Sequence, residues 1–209
     1  MSATSGFNGI NITTCAVNQS QITRRVAVSL LVSLLLMMVI YSSQALSQGF
    51  TGHSQPFVYT DNKSITPDTA FMDKDGNVQR LSDYRGKVVL VNLWATWCSA
   101  CLYEMPELNA LQQEWGSKGL KVLTLNQDLN DGKAALQFLH SRGYSQLTGH
   151  LDPNYLFGQA FGQKLLPMTL LFDTTGRQIG HLVGVAEWNS TKAKHLIGKY
   201  LPTDLQSQK

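Results

Sequence analysis

The chain reads as an α/β fold, a central mixed β-sheet flanked by helices. Three observations predict it. Short apolar runs rich in β-branched residues alternate with stretches of helical period: Val88–Leu93 then 98–115, and 120–128 then 131–143. The last third changes to two strand-like runs around a turn, residues 168–184, and closes on an amphipathic segment, 186–201. That order, β-α-β-α followed by a β-hairpin and a helix, predicts parallel and antiparallel neighbours in one sheet.

Each element has its own signal. Residues 48–68 are polar and aperiodic. The stretch 48–65 is expected as a linker, or as an irregular lead strand, before a domain spanning 66–209. "FMDKDGNVQRLSDYRGK", from Phe71, holds the turn Asp75-Gly76-Asn77 between short strand-like pieces and predicts an N-terminal β-hairpin extension. The same "DKDGN" superficially resembles a calcium loop, but its acidic spacing is wrong and no Glu closes it. Val88–Leu93 suits a buried central strand. From Cys98, the apolar residues Leu102, Met105, Leu108, Leu111 and Trp115 recur at steps of three and four, which predicts a helix ended by Gly116 and Gly119. "LKVLTLNQD" is a second buried strand, and "DGKAALQFLHSRG" a second helix from Asp131 to Gly143. "NYLFGQAFG" is a shorter helix after the turn "DPN". "MTLLFDTTGRQIGHLVG" is two strands around Thr174-Thr175-Gly176, and "AEWNSTKAKHLIGKYL" a final helix.

Composition bounds the function classes. In 209 residues, 43% hydrophobic and 15% charged content suit a folded domain rather than a disordered chain. Setting aside Arg24 and Arg25, 15 Lys plus Arg face 14 Asp plus Glu, so the body is nearly neutral. Such a balance offers no electrostatic case for nucleic acid or an anionic membrane surface. No internal repeat or extended low-complexity segment is visible.

Residues 1–47 read as a targeting region. A polar, acid-free lead precedes Arg24-Arg25, then an apolar run over residues 26–41, then small residues at Ser43, Ala45 and Ser47. This is the layout of a secretory signal, cleaved after Ala45 or Ser47. An uncleaved anchor is the alternative, although the run falls short of the ~20 apolar residues that a membrane span takes. In both readings the body is exported. Cys15 lies before the apolar run, so Cys98 and Cys101 are the thiols of the exported part, where disulfides persist.

Those two cysteines sit in "VVLVNLWATWCSACLYEMP", where a buried strand runs into Cys-Ser-Ala-Cys and a helix. Residues at i and i+3 share a helix face, so the two sulfurs can meet. A helix N-terminus supplies unpaired N–H groups and about half a positive charge, both of which favour thiolate. Cys98 is then the attacking thiolate and Cys101 the resolving thiol. Trp94 and Trp97 offer a flat apolar surround for a partner polypeptide. A zinc site would need four ligands, and His53, His140, His150, His181 and His195 are scattered singly. A purely structural disulfide closing so short a loop stabilises little. Redox exchange is the economical reading.

The string "GKVVLVNLWATWCSACLYEMPEL" resembles the exported TlpA/ResA/DsbE-like branch of the thioredoxin superfamily, and the stretches at 71–87 and 165–176 resemble it too. The resemblance spans Phe71 to about Tyr200. It implies a thioredoxin-like fold and an exported protein thiol–disulfide oxidoreductase with no cofactor or metal. It also implies protein partners carrying thiols or disulfides, and a membrane electron donor. The branch consists mainly of specific reductants, for example in cytochrome c maturation.

The resemblance further implies site residues. Cytosolic thioredoxins commonly carry a buried Asp where this chain has Asn92, and Glu104 is the acid this branch offers instead, able to move a proton on and off Cys101. Pro106 is expected to bend the helix. Pro167 is expected to be a cis-proline facing the disulfide, with Leu166 offering backbone to an extended substrate and Trp97 completing the groove. Met168 departs from the branch's usual "PTT". Trp188 reads as core or groove. Two alternatives stand beside this reading. A copper chaperone for oxidase assembly commonly has three residues between its cysteines and a downstream His, for which His181 is the nearest candidate. A peroxiredoxin-like peroxidase commonly lacks W-C-x-x-C.

Overall fold

The computed structural model describes residues 28–33, 37, 49–53, 55–61, 66–128 and 132–202. The chain divides into two units, 1–48 and 49–209. In the first, residues 28–33 and 37 are helical. The Arg pair, the cleavage positions and Cys15 lie outside the described residues. Among the described residues no helix is long and apolar enough to cross a membrane.

The second unit is built on one eight-stranded mixed sheet. Its strands are β1 (Val58–Tyr59), β2 (Phe71–Met72), β3 (Val78–Gln79), β4 (Val88–Trp94), β5 (Leu120–Asn126), β6 (Thr148–Leu151), β7 (Met168–Phe172) and β8 (Gln178–Val183). They lie in the order β1-β8-β7-β4-β5-β6-β2-β3. β4 pairs in parallel with β5, from Val88 opposite Leu120 to Trp94 opposite Asn126, and antiparallel with β7. Among the described residues four helices accompany the sheet: α1 (Ser99–Trp115), α2 (Lys133–Ser141), α3 (Leu156–Ala160) and α4 (Thr191–Gly198).

Side-chain alternation along β4 divides the core in two. Val88, Leu90 and Trp94 join a cluster with Met105, Leu108 and Leu111 of α1, Leu139 of α2 and Ile197 of α4. Val89, Val91 and Leu93 join Leu123, Leu125, Phe157 of α3 and Phe172 on the other side. By the same alternation Asn92 falls on the α1 face, among apolar neighbours, with no exposure. α1 runs through Pro106 as one helix to Trp115. A 3₁₀ turn, Gly116–Lys118, then ends at Gly119, whose φ of 93° is open to glycine at little cost.

The two hairpin turns share one device. Asp73 Oδ1 accepts the N–H groups of Asp75 and Asn77, and Asp173 Oδ1 accepts those of Thr175 and Arg177. These side chains bond to the backbone in the manner expected of Asp at a turn. That accounts for "DKDGN" as a turn.

The sequence expectations meet the structure at three instructive places. Of the stretch 48–65, expected as a linker or as an irregular lead strand, described residues contribute to the sheet and the core. Phe50 and Phe57 are buried, and Val58 and Tyr59 pair with His181 and Gly180 of β8. Gly180 permits this approach, because a Cβ there would lie 2.3 Å from the Val58 carbonyl oxygen. β6 was not anticipated; its "TGHL" carries neither an apolar run nor alternation, and tertiary pairing with β5 and β2 makes it a strand. α2 begins at Lys133 behind Gly132, while the start expected at Asp131 lies outside the described residues.

Candidate active site

β4 delivers the chain to the site. After Trp94 the backbone leaves the sheet, turns through Thr96 and Trp97, and enters α1 with Cys98 as the N-cap. Asp128, just beyond β5, accepts the Thr96 N–H at 3.1 Å and holds this turn. Cys98 and Cys101 form a disulfide, with Cα atoms 5.2 Å apart. Cys98 is 7% exposed and Cys101 is fully buried, so of the two residues Cys98 is the one that reaches the surface. The Cys101 N–H lies 3.2 Å from Cys98 Sγ and donates to it. A thiolate at Cys98 would keep that donor and the positive end of the α1 dipole.

Glu104 sits one turn beyond Cys101 on the same helix face, inside the core stripe formed with Met105, Leu108 and Leu111. It is wholly buried. Its Oε1 accepts from Asn92 Nδ2 at 2.7 Å. Its Oε2 accepts from Trp188 Nε1 at 3.1 Å and from the Ala186 N–H at 3.3 Å. Burial pushes the carboxyl pKa up to about 7, against the pull of these three donors toward the carboxylate. A carboxyl poised near neutrality inside a dry core can give and take a proton at physiological pH.

Met168 of β7 stands opposite Leu93 of β4, so Pro167 lies level with Trp94, at the end of β4 from which the cysteine turn departs. The Leu166–Pro167 bond is cis. Pro167 is buried, Leu166 is half-buried, and Trp97 is 72% exposed. Leu165 and Leu166 line a cleft of about 380 Å³ with Pro56, Val58, His181 and Val183.

Sequence reasoning missed much of the support around Glu104. Trp188 is core, as one of its readings expected, and also a hydrogen-bond donor to the acid. The side-chain amide of Asn92, which has no acidic proton to exchange, donates to the carboxyl that has one, and also to Thr169 Oγ1 at 2.9 Å. Glu107 is half-buried and accepts the Asn189 N–H at 3.1 Å. Among the described residues no group of three or more His, Cys, Asp or Glu is placed to hold a metal ion.

A β-α-β unit, an antiparallel hairpin, and a Cys-X-X-Cys disulfide capping the first long helix define a protein of thioredoxin-like fold. Its site is a dithiol pair backed by a buried acid. The chain belongs to the Redoxin family, whose model matches residues 60–195. It is similar to the ResA thiol-disulfide oxidoreductase of Geobacillus thermodenitrificans (strain NG80-2), 33% identical over 114 residues, 54% of this chain and 64% of that protein. The ResA of Bacillus anthracis is 29% identical over 139 residues, 65% of this chain and 79% of that protein. Thus the chain spans 64% of the length of the curated relatives it matches at 33% and 34% identity. A DsbE-type thiol:disulfide interchange protein from Chlorobium tepidum superposes with a TM-score of 0.56 at 27% identity, over 73% of this chain and 99% of that one. The exposed lipoprotein thioredoxin of Streptococcus pneumoniae strain TIGR4 gives 0.55 at 27% identity, over 64% and 99%. These likenesses put the chain in the TlpA/ResA/DsbE-like branch.

Proposed function

We propose that this chain is an exported protein thiol–disulfide oxidoreductase, and that it serves as a reductant of selected extracytoplasmic cysteines. One observation carries the reading: a Cys98–Cys101 disulfide caps α1, with its first residue reaching the surface at 7% exposure and its second wholly buried. The names of the ResA and DsbE relatives support the activity. The signal-like segment 24–47 supports export. Cytochrome c maturation as the setting, and a membrane electron donor as the source of reducing equivalents, follow from the branch resemblance.

The reaction runs in two exchanges. In the reduced protein the Cys98 thiolate attacks a partner disulfide; a Cys98–partner disulfide forms and one partner thiolate leaves. Cys101 then loses its proton to Glu104 and attacks Cys98 Sγ. That step frees the second partner thiolate and closes the Cys98–Cys101 bond, so two electrons pass to the partner. The donor reverses both steps to recharge the pair. An extended partner segment lies along Leu166 and Pro167, with Trp97 as an apolar platform beside the reacting sulfur.

Trapping tests the roles. Cys98→Ser should abolish disulfide reduction, and Cys101→Ser should accumulate mixed disulfides with partner proteins on non-reducing gels. Full turnover by Cys98→Ser would overturn the assignment. Equilibration with glutathione tests direction: a potential near or below about −270 mV supports a reductant, and one near about −120 mV an oxidant.

A further inference from the structure

Trp188 lies in the loop between β8 and α4, 84 residues from the acid it touches. Its ring is wholly buried and packs on Phe50, with centroids 5.1 Å apart. The segment carrying Phe50 is tied to the same loop by the His53 N–H, which donates to the Val185 carbonyl at 2.8 Å. The indole is therefore clamped from both sides of the chain. Its N–H and that of Ala186 both donate to Glu104 Oε2, while among the described residues Oε1 accepts from the side-chain amide of Asn92.

We propose that Trp188 is a positioning residue for disulfide exchange: its indole N–H pins Glu104 Oε2, sets the proton affinity of the carboxyl, and leaves Oε1 as the oxygen that carries the proton. The inference rests on the proposed role of Glu104 as proton carrier. An oxygen that accepts two N–H donors is a poor place for a proton, so the proton goes to the other oxygen. There the Asn92 amide serves either form. Its NH₂ donates to the carboxylate, and a rotated amide offers its oxygen to the acid O–H. Asn92 Oδ1 is buried and has no other partner among the described residues.

The donors to Glu104 carry no charge, and of them Trp188 is the one whose N–H a substitution can delete while keeping its ring. β4 presents Asn92, itself bonded to Thr169 of β7, and the loop presents Ala186 and Trp188, all uncharged. On α1 itself, Cys101 precedes it by one turn and Glu107 follows by one turn, the latter occupied by the Asn189 N–H. Burial drives the pKa upward, and the Ala186 N–H, the Asn92 amide and the indole N–H oppose it, in that order.

Trp188→Phe keeps the ring against Phe50 and deletes the donor. The pH profile of disulfide reduction by this variant should show its step moved up by about one pH unit, a tenfold gain in proton affinity. In a Glu104→Gln background the step should be absent and Trp188→Phe should move nothing. The wild-type protein offers a reading that needs no variant. In the ¹⁵N-labelled protein the Trp188 indole resonance should shift between pH 5 and 9 with the midpoint of that step. Trp94, whose indole N–H meets no acceptor among the described residues, serves as the internal control. A wild-type midpoint in Trp188→Phe, or an immobile Trp188 resonance, overturns the inference. If Glu104→Gln abolishes the step but Trp188→Phe leaves it in place, only the positioning role falls. If Glu104→Gln keeps the step, the proton-carrier role of Glu104 falls with it.

Discussion

Asn92 and Glu104 meet inside the α1 side of the sheet, amide nitrogen 2.7 Å from carboxyl oxygen, with neither side chain exposed. A strand residue that cannot ionise thus supports a helix residue that can. The pairing places one titratable proton, rather than two, behind the buried thiol.

Asn92→Asp would put two carboxyls in that space. Like charges at such a distance cannot both ionise in a dry site, so the pair should share a proton with an apparent pKa above that of Glu104 alone. Thermal melts should show a loss of about 3 kcal/mol at pH 8, from an unpaired buried charge, and a much smaller loss at pH 5. Equal losses at both values would mean that packing, not charge, explains the defect.

Stability should carry two opposing pH dependences. Glu104 is raised from 4.5 to about 7, so the native state binds its proton more tightly than the unfolded chain does. Its contribution is full below about pH 4.5 and is lost as pH rises through 7. His150, buried and with its Nδ1 2.7 Å from the Thr148 carbonyl oxygen, is lowered from 6.5 to about 4, chiefly by desolvation. Its contribution is full above about 6.5 and is lost as pH falls through 4. Each is worth roughly 3 kcal/mol and they cancel between about pH 4.5 and 6.5. The wild type should therefore be nearly flat there and decline between pH 6.5 and 8. Glu104→Gln should instead gain stability from pH 4 to 6.5 and then level off, as chemical denaturation at each pH would read.

Phe50→Ala removes a ring packed on both Phe57 and Trp188. It should cost about 3 kcal/mol by denaturant midpoint, the lower end for a buried Phe. Gly180→Val, which drives a side chain into Phe57 and the Val58 carbonyl, should cost a comparable amount. A change within about 0.5 kcal/mol in both would mean that residues 49–61 add nothing to the fold.

Trp97→Ala tests the surface beside Cys98. At 72% exposure the ring carries little packing, so stability should move by less than about 0.5 kcal/mol. Turnover with a protein disulfide should fall about tenfold, because exposed aromatic anchors commonly dominate such contacts. Turnover with a small disulfide such as oxidised glutathione should change little. Equal losses on both substrates would place the effect in the thiol chemistry.

The sequence by itself determined what local chemistry can express. β-branched runs marked β4 and β5, three-and-four spacing marked α1, and Cys-Ser-Ala-Cys at a strand-to-helix junction marked the reactive pair. Even the burial of Glu104 had a local trace, since its position falls on the stripe that Cys101, Met105 and Leu108 bury. Strand β6 left no such trace, and β1 left only the irregular lead strand that was one reading of residues 48–65. Each is four residues or fewer, and pairing, not propensity, makes them strands. The partners of Glu104 were equally hidden: Asn92 lies 12 residues before it, Ala186 82 after and Trp188 84 after. Only the tertiary structure decided that three donors converge on one buried carboxyl. Periodicity tells which face of an element is covered, whereas the identity of the covering group depends on where distant segments of the chain come to rest.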